Sequence, residues 1–404
     1  MKIPIKVSNL MDEKSRYTGS LEDRAIRVPL ELRRICNMKL SDFINLKSSN
    51  DDLIALKVSM AYRGDAEADD TTAYVTRNVF DVLNLSDVKS CHKQEVLPLE
   101  GITLGCDPEL FLIDKNSRRI VSPKTICKAK YGQVGHDGYM LEVRPLPSPS
   151  EVVVVKNLWT CLSRAREMLN NVKKINGNNV LMYATSYYKN ITAGFHIHFG
   201  IPYKLQGGFK YGRRWSVKNQ IARVLDYYIG IPSIIPEGED DCVRRTSLDI
   251  EYGKPGEWRQ EGATFEYRVP GGHLLRHPIL SMGIIGLGAI VMEDAISRVN
   301  ACTNGFKNLE VVKSIKDIQE IYPNVPEILD VSKIICSRSV KPAMSLLDTI
   351  IKDVESMVGF KRRLASIEQM VKCLYNGYTF SPYIDDNWRL QDEEQQRSMD
   401  VSST

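Results

Sequence analysis

Two histidines separated by one residue give the clearest chemical signal in the sequence. They are His196 and His198, in the segment Ala-Gly-Phe-His-Ile-His-Phe-Gly. If this segment is a strand, both imidazoles lie on one face, because successive side chains alternate between faces. Two in-phase histidines on an otherwise apolar strand need polar partners or a metal ion. Zinc is one option, but no cysteine or third histidine follows at a zinc-like spacing, and the available carboxylates suit a harder ion.

Two acids with the same spacing precede the histidines. Asp107 and Glu109 lie in Gly-Cys-Asp-Pro-Glu-Leu-Phe-Leu-Ile-Asp, which we predict to be one strand with both carboxylates on the same face. Like charges this close raise each other's proton affinity, so the pair stays ionised only beside a cation such as Mg²⁺. A solvated edge strand with an acidic face explains this motif equally well when it is taken alone.

Two further predicted strands carry a glutamate and an arginine in phase. Glu142 and Arg144 follow a glycine-rich turn, whereas Glu266 and Arg268 lie in Phe-Glu-Tyr-Arg-Val-Pro. A salt-bridged surface pair explains the first motif by itself. Arginine forks bind phosphate and carboxylate oxygens, although an ordinary charged surface would explain some of the arginines around the second motif. Four arginines fall within 25 residues there, at positions 244, 245, 259 and 268.

The elements that must position these residues are predicted from hydrophobic periodicity. Strands are predicted over residues 180–185 and 194–201, on either side of a polar turn. Apolar residues at helical spacing predict the helices. The predicted helices cover residues 151–175, 216–229 and 278–300, with one or two more within 342–375.

Residues 1–95 are predicted to form a small β-rich, barrel-like module with one short helix. Alternating stretches such as 25–30 and 54–60 indicate strands, and 30–36 indicates the helix.

The rest of the chain is predicted to form an α+β domain and a tail. The polar stretch 86–100 is predicted to be a linker. Residues 96–384 carry the motifs, and 385–404 form a flexible acidic tail with few apolar residues.

Length and composition exclude several classes of protein. The 404 residues are 43% hydrophobic and 26% charged, so neither wholesale disorder nor a fibrous repeat is expected. A net charge of +4 does not indicate nucleic-acid binding. Nine scattered cysteines without a CxxC pair indicate reduced thiols in a cytoplasm-like compartment. The N-terminus lacks a signal-peptide pattern, and the apolar run 279–292 is too short to span a bilayer, so we expect a buried helix.

Taken in order, the motifs resemble the glutamine synthetase-like superfamily of carboxylate-amine ligases, in particular its phage-encoded branch. The segments GxDPE, LEVRP, GFHIHFG and EYRVP fall between about residues 101 and 300, and their order makes the set specific. The resemblance implies a curved antiparallel sheet that forms a funnel with flanking helices. ATP would enter one end and the acid substrate the other, with Mg²⁺ or Mn²⁺ between them.

The resemblance also implies roles for single residues. Arg259 and Arg268 would bind the nucleotide phosphates or the acyl phosphate, and together with Arg245 and Glu266 they form the implied catalytic set. Arg245 would bind the substrate carboxylate or the same phosphates, and His198 would contact nucleotide or substrate. The implied metal ligands are Asp107, Glu109, Glu142, His196 and Glu266.

Two departures from the superfamily pattern affect these implied roles. The acid of the first strand is Asp107 where the superfamily commonly has glutamate. Near Glu142 the nearest second acid is Glu151, which opens a predicted helix, so the completeness of one ion site stays open.

The predicted reaction is ATP-dependent formation of an amide or peptide bond through an acyl phosphate. The substrates would be an amine and a carboxylate, each a small molecule, a peptide or a protein, in the cytoplasm of an infected bacterium. Two alternatives stay open: a catalytically silent phage structural or binding protein that retains the fold, and a metal-dependent amidohydrolase. A homo-oligomer is compatible with the resemblance, and neither membrane nor nucleic acid is indicated.

Overall fold

Helices and sheets both contribute to the computed structural model, which confirms the predicted α+β class. The chain forms two compact units, described separately below: residues 1–100, 112–181 and 388–404 form the first, and residues 101–111 and 182–387 form the second. The predicted boundaries at 95 and 385 remain predictions. The structure describes all residues except 9–10, 12–23, 41, 62–71, 86, 88, 99–100, 129, 173–178, 202–213, 262–263, 303–321 and 391–404, and only the backbone at 98, 214–217, 261, 300 and 302.

Six strands of the first unit form a closed barrel in the order β1-β5-β2-β4-β3-β6. Two short helices accompany the strands, α1 (Leu30–Ile35) and α2 (Arg77–Val82). Alternating apolar side chains fill the interior of the barrel, which is why these short strands are stable together. The strands are β1 (Lys2–Val7), β2 (Ala25–Val28), β3 (Phe43–Lys47), β4 (Leu53–Met60), β5 (Ala73–Val75) and β6 (His92–Pro98).

Strand β6 corrects the prediction of a linker over residues 86–100. It pairs with both β1 and β3 and so closes the barrel. The polar composition of this stretch obscured the strand: among its described side chains, at residues 92–97, Gln94 and Val96 are buried and their neighbours are more accessible. Polarity alone therefore does not separate a linker from a barrel strand with one solvated face.

The first unit also contains a long helix and strands β9 and β10 of a second sheet, whose strands β8 and β11 each continue from one unit into the other along the chain. Helix α3 (Glu151–Asn170) begins where periodicity predicts and buries one face that includes Val154, Leu158 and Leu162. The sheet has the order β11-β8-β10-β9. Its strands are β8 (Glu109–Asp114), β9 (Val134–Asp137), β10 (Met140–Val143) and β11 (Val180–Tyr183).

The second unit is built around a four-stranded antiparallel sheet of order β15-β16-β14-β7. A small hairpin, β12 (Tyr187–Tyr188) and β13 (Ile191–Thr192), precedes β14. The strands of the main sheet are β7 (Thr103–Cys106), β14 (Ile197–Gly200), β15 (Trp258–Glu261) and β16 (Thr264–Tyr267).

Every helix predicted for this part of the chain is present, and its described residues contain four further short α-helices that were not predicted. The predicted helix 216–229 is α4 followed by a π-helical turn, Asp226–Gly230, and 342–375 divides into two helices at Gly359, whose φ is 87°. The helices are α4 (Arg214–Leu225), α5 (Ile231–Ser233), α6 (Val243–Thr246), α7 (Pro278–Cys302), α8 (Ile328–Ile335), α9 (Lys341–Glu355), α10 (Phe360–Tyr375) and α11 (Ile384–Trp388).

Helix α11 lies where the acidic tail is predicted to begin. Residues 384–388 are helical, so the first residues of the predicted tail have regular structure. The predicted tail beyond residue 390 lies outside the described residues.

Helix α7 agrees with the helix predicted over residues 278–300 and extends beyond the apolar run 279–292. The acids Glu293 and Asp294 interrupt the apolar run in sequence. The helix nevertheless continues through them to Cys302 and has 25 residues in total. By length and composition it could therefore cross a membrane. Its apolar stretch is mostly buried, however, which is typical of a core helix and agrees with the predicted burial.

Candidate active site

Strand β14 and its neighbours place a first row of predicted site residues across one face of the sheet. In the strand register, His198 lies opposite Gly105 of β7 on one side and Glu266 of β16 on the other. Glu266 in turn lies opposite Arg259 of β15. Side chains directly opposite one another in antiparallel strands are close enough to interact. We call Gly105, His198, Glu266 and Arg259 the first row.

A second row lies two residues further along each chain segment, on the same face, because side chains alternate. The second row consists of Asp107, His196, Arg268 and Glu257, just outside the regular strands. Backbone hydrogen bonds continue the strand pairing here. The amide of Asp107 donates to the carbonyl of His196 at 3.3 Å, and the amide of Arg268 donates to the carbonyl of Glu257 at 3.1 Å.

One carboxylate oxygen of Asp107 contacts the imidazoles of both histidines. Nδ1 of His196 lies 3.0 Å from Oδ1 of Asp107, and Nε2 of His198 lies 3.1 Å from the same oxygen. Burial alone would raise the pKa of Asp107, but His198 and His196 hold that pKa well below its usual range. Asp107 is therefore a buried carboxylate that stays ionised.

Glu266 is fully buried and faces two arginines. Nε of Arg259 lies 2.5 Å from its Oε2, and Nε of Arg268 lies 3.1 Å from its Oε1. Arg268 also donates through a terminal nitrogen to Glu257 at 2.7 Å. The side chain of Arg259 is half exposed, whereas Glu266 is buried. The guanidinium is therefore the part of this ion pair that solvent reaches.

Three residues of the two rows form a potential metal centre. Asp107, His198 and Glu266 each offer one ligand atom, and these atoms lie within 4.8 Å of one another. The set contains two carboxylate oxygens and one imidazole nitrogen, all buried, which fits Mg²⁺ or, because of the imidazole, Mn²⁺. The resemblance implied that His196 binds the metal and that His198 contacts nucleotide or substrate. The geometry groups His198 with the acids, and a metal contact by His196 stays a prediction.

The hydrogen bonds of Glu109 go to residues outside this cluster. Its Oε2 accepts from the backbone amide of Gly194 at 2.6 Å and from the hydroxyl of Tyr252 at 3.1 Å. Burial raises the pKa of Glu109. The prediction that Asp107 and Glu109 share one strand is wrong, because Pro108 cannot donate to a ladder and β7 ends before it while β8 begins after it.

Glu142 lies in the first unit, on β10. Its carboxylate pairs with Arg144, and both side chains are largely buried. Arg144 also donates to the backbone carbonyls of Lys130 and Gly132, at 3.1 and 3.2 Å. Within the part of the chain that the structure describes, the metal-ligand cluster does not include Glu142, so its role as a ligand stays a prediction.

Arg245 is buried within the fold of the second unit. It donates through Nε to Glu237 at 2.6 Å and through a terminal nitrogen to the carbonyls of Ile335, at 2.6 Å, and Ser337. Its neighbour Arg244 likewise donates to the carbonyl of Val269 at 2.7 Å. A contact between Arg245 and substrate would therefore require these bonds to break.

Tyr252 is a site residue that the sequence analysis did not single out. Its hydroxyl contacts Nε2 of His196 and donates to Glu109. Two guanidinium groups contact its ring, those of Arg244 and Arg268, each 4.8 Å from the ring centroid. Tyr252 comes from a loop, and side-chain periodicity gives no information about which strand a loop residue contacts. Its position beside a glycine within the arginine-rich segment was the available signal.

Comparison with protein families identifies the class to which this site belongs. Residues 104–313 match the family described as Phage phiEco32-like COOH.NH2 ligase-type 2. Because the match covers just over half of the 404 residues, the chain belongs to this family of carboxylate-amine ligases. The resemblance inferred from the motifs is thereby confirmed.

Comparisons with individual proteins add less. No match is found among curated proteins. A solved structure described as a novel glutamine synthase homolog is similar over 93% of this chain and 98% of its own, with 10% identity and a TM-score of 0.30. A TM-score this low does not establish a shared fold.

Proposed function

We propose that the protein is an ATP- and divalent-metal-dependent ligase that joins a carboxylate to an amine through an acyl phosphate. Family membership supports a carboxylate-amine ligase. The observation that carries the finer proposal is the buried cluster of Asp107, His198 and Glu266 directly beside two arginines. Such a cluster suits a cation and phosphate oxygens together.

The chemistry requires activation of the acid before the amine can react. A carboxylate oxygen attacks the γ-phosphorus of ATP, which gives an acyl phosphate and ADP. The amine nitrogen then attacks the acyl carbon, and phosphate and a proton leave as the amide forms. In this scheme the predicted funnel would bring ATP and the acid from opposite ends, and that geometry is part of the proposal.

The residues of the two rows have distinct tasks in this scheme. Asp107, His198 and Glu266 would hold the ion, which supplies positive charge to the phosphate oxygens when it is bound. Arg259 and Arg268 donate hydrogen bonds to the phosphoryl group and offset the charge that shifts during transfer. Their pairing with Glu266 fixes both guanidiniums beside the ion site before substrates arrive.

The test compares the wild-type protein with Glu266→Gln. The full chain is incubated with ATP, Mg²⁺ and pools of amino acids and polyamines, and ADP release and amide products are followed by mass spectrometry. Calorimetric titration with Mg²⁺-ATP measures binding separately. We expect ATP-dependent amide formation in the wild type and a loss on the order of 100-fold in Glu266→Gln, because a metal ligand is removed.

A matched control is Glu293→Gln. Glu293 also pairs with two arginines, Arg362 and Arg363, but on helices α7 and α10. Its substitution should therefore reproduce the structural cost of removing a paired glutamate while ligation continues. Full activity in Glu266→Gln would contradict the proposal. Product formation without nucleotide would favour an amidohydrolase, and absence of Mg²⁺-ATP binding in the wild type would favour a catalytically silent protein.

A further inference from the structure

We propose that Tyr252 is a positioning residue that holds His196, and through His196 the carboxylate of Asp107, in the orientation the metal centre needs. The inference rests on the proposed function, since it assigns Tyr252 to the support of that centre. The inference goes beyond the proposed function, because Tyr252 is a loop residue outside the candidate ligand cluster.

The hydroxyl of Tyr252 joins two strand-end residues of the site. It contacts Nε2 of His196 and donates to Oε2 of Glu109 at 3.1 Å. Glu109 is itself fixed by the amide of Gly194 at 2.6 Å. The imidazole of His196 is thus held at both nitrogens, by Tyr252 on one side and by Asp107 on the other.

The ring of Tyr252 is held as firmly as its hydroxyl. The guanidiniums of Arg244 and Arg268 lie on the ring at equal centroid distances of 4.8 Å. Arg244 is anchored by the carbonyls of Val269 and Arg268, at 2.7 and 2.9 Å. Cation–π contacts of this kind fix the plane of the ring and, with it, the direction of the hydroxyl.

The loop that carries Tyr252 is preformed. The next residue, Gly253, has a φ of 75°, and its amide donates to Glu257. Lys254 donates through Nζ to the carbonyls of Arg245 and Ser247, at 2.9 and 2.6 Å. Backbone and side-chain bonds therefore place the tyrosine before any ligand binds.

Support of this kind has a measurable effect on a metal centre. A group that orients a ligand without touching the metal typically contributes 10- to 100-fold to metal affinity. Asp107 is such a ligand in the proposed centre, and His196 donates to the same oxygen that faces His198. Loss of the Tyr252 hydroxyl would remove the contact at Nε2 and leave the imidazole of His196 held at Nδ1 alone, which would loosen Asp107.

The test uses Tyr252→Phe in the full chain, which removes the hydroxyl and keeps the ring that the two arginines contact. The matched control is Tyr322→Phe. Tyr322 is also buried, donates to Asp294 at 2.7 Å and has Arg298 on its ring at 4.6 Å, but it belongs to the helical region. Thermal unfolding shows that both variants fold and gives the structural cost of each lost hydroxyl.

The first readout is Mn²⁺ binding, measured by electron paramagnetic resonance. We expect affinity about 10-fold weaker in Tyr252→Phe and unchanged in Tyr322→Phe. Unchanged affinity in Tyr252→Phe would overturn the inference.

The second readout needs no metal. Imidazole ¹⁵N resonances are recorded in the metal-free protein, which has six histidines, and His196 is assigned with a His196→Asn variant. We expect the His196 resonances to shift in Tyr252→Phe alone. If the wild type binds no Mn²⁺, the proposed metal centre fails, and this readout decides the positioning role: unshifted resonances overturn it and shifted resonances support it.

Discussion

Asp107 and Glu266 face different kinds of cation, although both belong to the same candidate metal centre. Asp107 contacts two imidazoles, and Glu266 contacts two guanidiniums. Guanidinium keeps its charge at any ordinary pH. Glu266 therefore faces fixed positive charges, whereas Asp107 presents one oxygen to two imidazole nitrogens.

Gly194 controls the space around His196. A Cβ atom at this position would lie 2.4 Å from Nε2 of His196 and 2.7 Å from the hydroxyl of Tyr252. Gly194→Ala should therefore displace the imidazole and lower stability by about 1–3 kcal/mol. We expect weaker Mn²⁺ binding by calorimetric titration.

Gly101→Ala is the control for this substitution, because no atom lies within 4 Å of a Cβ placed there. It should leave Mn²⁺ affinity and the melting temperature unchanged. Equal Mn²⁺ affinities for Gly194→Ala and the wild type would show that His196 is not held as described.

The residue types of the site could be read from the sequence, but their partners could not. Alternation in a strand predicts that His196 and His198 share a face, and both contact Asp107. Which histidine joins the acid cluster depends on strand register, which is set by contacts far apart in sequence. Tyr252 and the internal partners of Arg245 depend on loops, where no period operates.

Among the elements, helix α7 shows that a helix can continue beyond an apolar segment through acids that are paired with arginines. Glu293 receives Arg362 at 2.7 Å and Arg363 at 2.9 Å from α10. Asp294 receives Arg298 at 2.6 Å and the hydroxyl of Tyr322. Charges that end an apolar run in sequence are thus neutralised, and the helix continues. Periodicity predicted both the helix and its length to within two residues, but the partners of its acids could not be predicted from it.

Removal of the Glu293 charge should destabilise the packing of α10 on α7. Glu293→Gln leaves Arg363, which is almost fully buried, without its counter-charge. We expect the free energy of unfolding to fall by about 2 kcal/mol, as measured by urea unfolding. The comparison is Asp330→Asn, which breaks the exposed pair with Lys333. That variant should change stability by less than about 0.5 kcal/mol, and equal effects would contradict the argument.

The stability of the whole molecule should depend on pH through buried acids. Burial raises the pKa of Asp226 from 3.8 to about 7 and that of Glu237 from 4.5 to about 7. A carboxyl with a raised pKa in the folded state binds its proton more readily there than in the unfolded chain. Its contribution to stability is complete below the unfolded pKa and is lost as pH rises through the folded pKa.

Urea unfolding at pH 5 and pH 8 tests this dependence. We expect wild-type stability to fall between the two pH values. Between pH 5 and pH 8, the free energy of unfolding of Asp226→Asn should fall by on the order of 2 kcal/mol less than that of the wild type, because the amide cannot ionise. Asp226 accepts from the hydroxyl of Tyr267 at 2.8 Å, and an asparagine oxygen can still accept that bond. The same loss in wild type and Asp226→Asn would show that this carboxyl does not govern the pH dependence.

The closed barrel and the open site sheet differ in how they can meet another chain. Closure leaves each of the six barrel strands hydrogen-bonded on both sides, so the barrel offers no template for an added strand. Among the described strands, β15 lies at an outer position of the site sheet and carries Arg259. Strand addition by a second copy at β15 would therefore place a foreign strand directly beside an arginine that the proposed reaction needs.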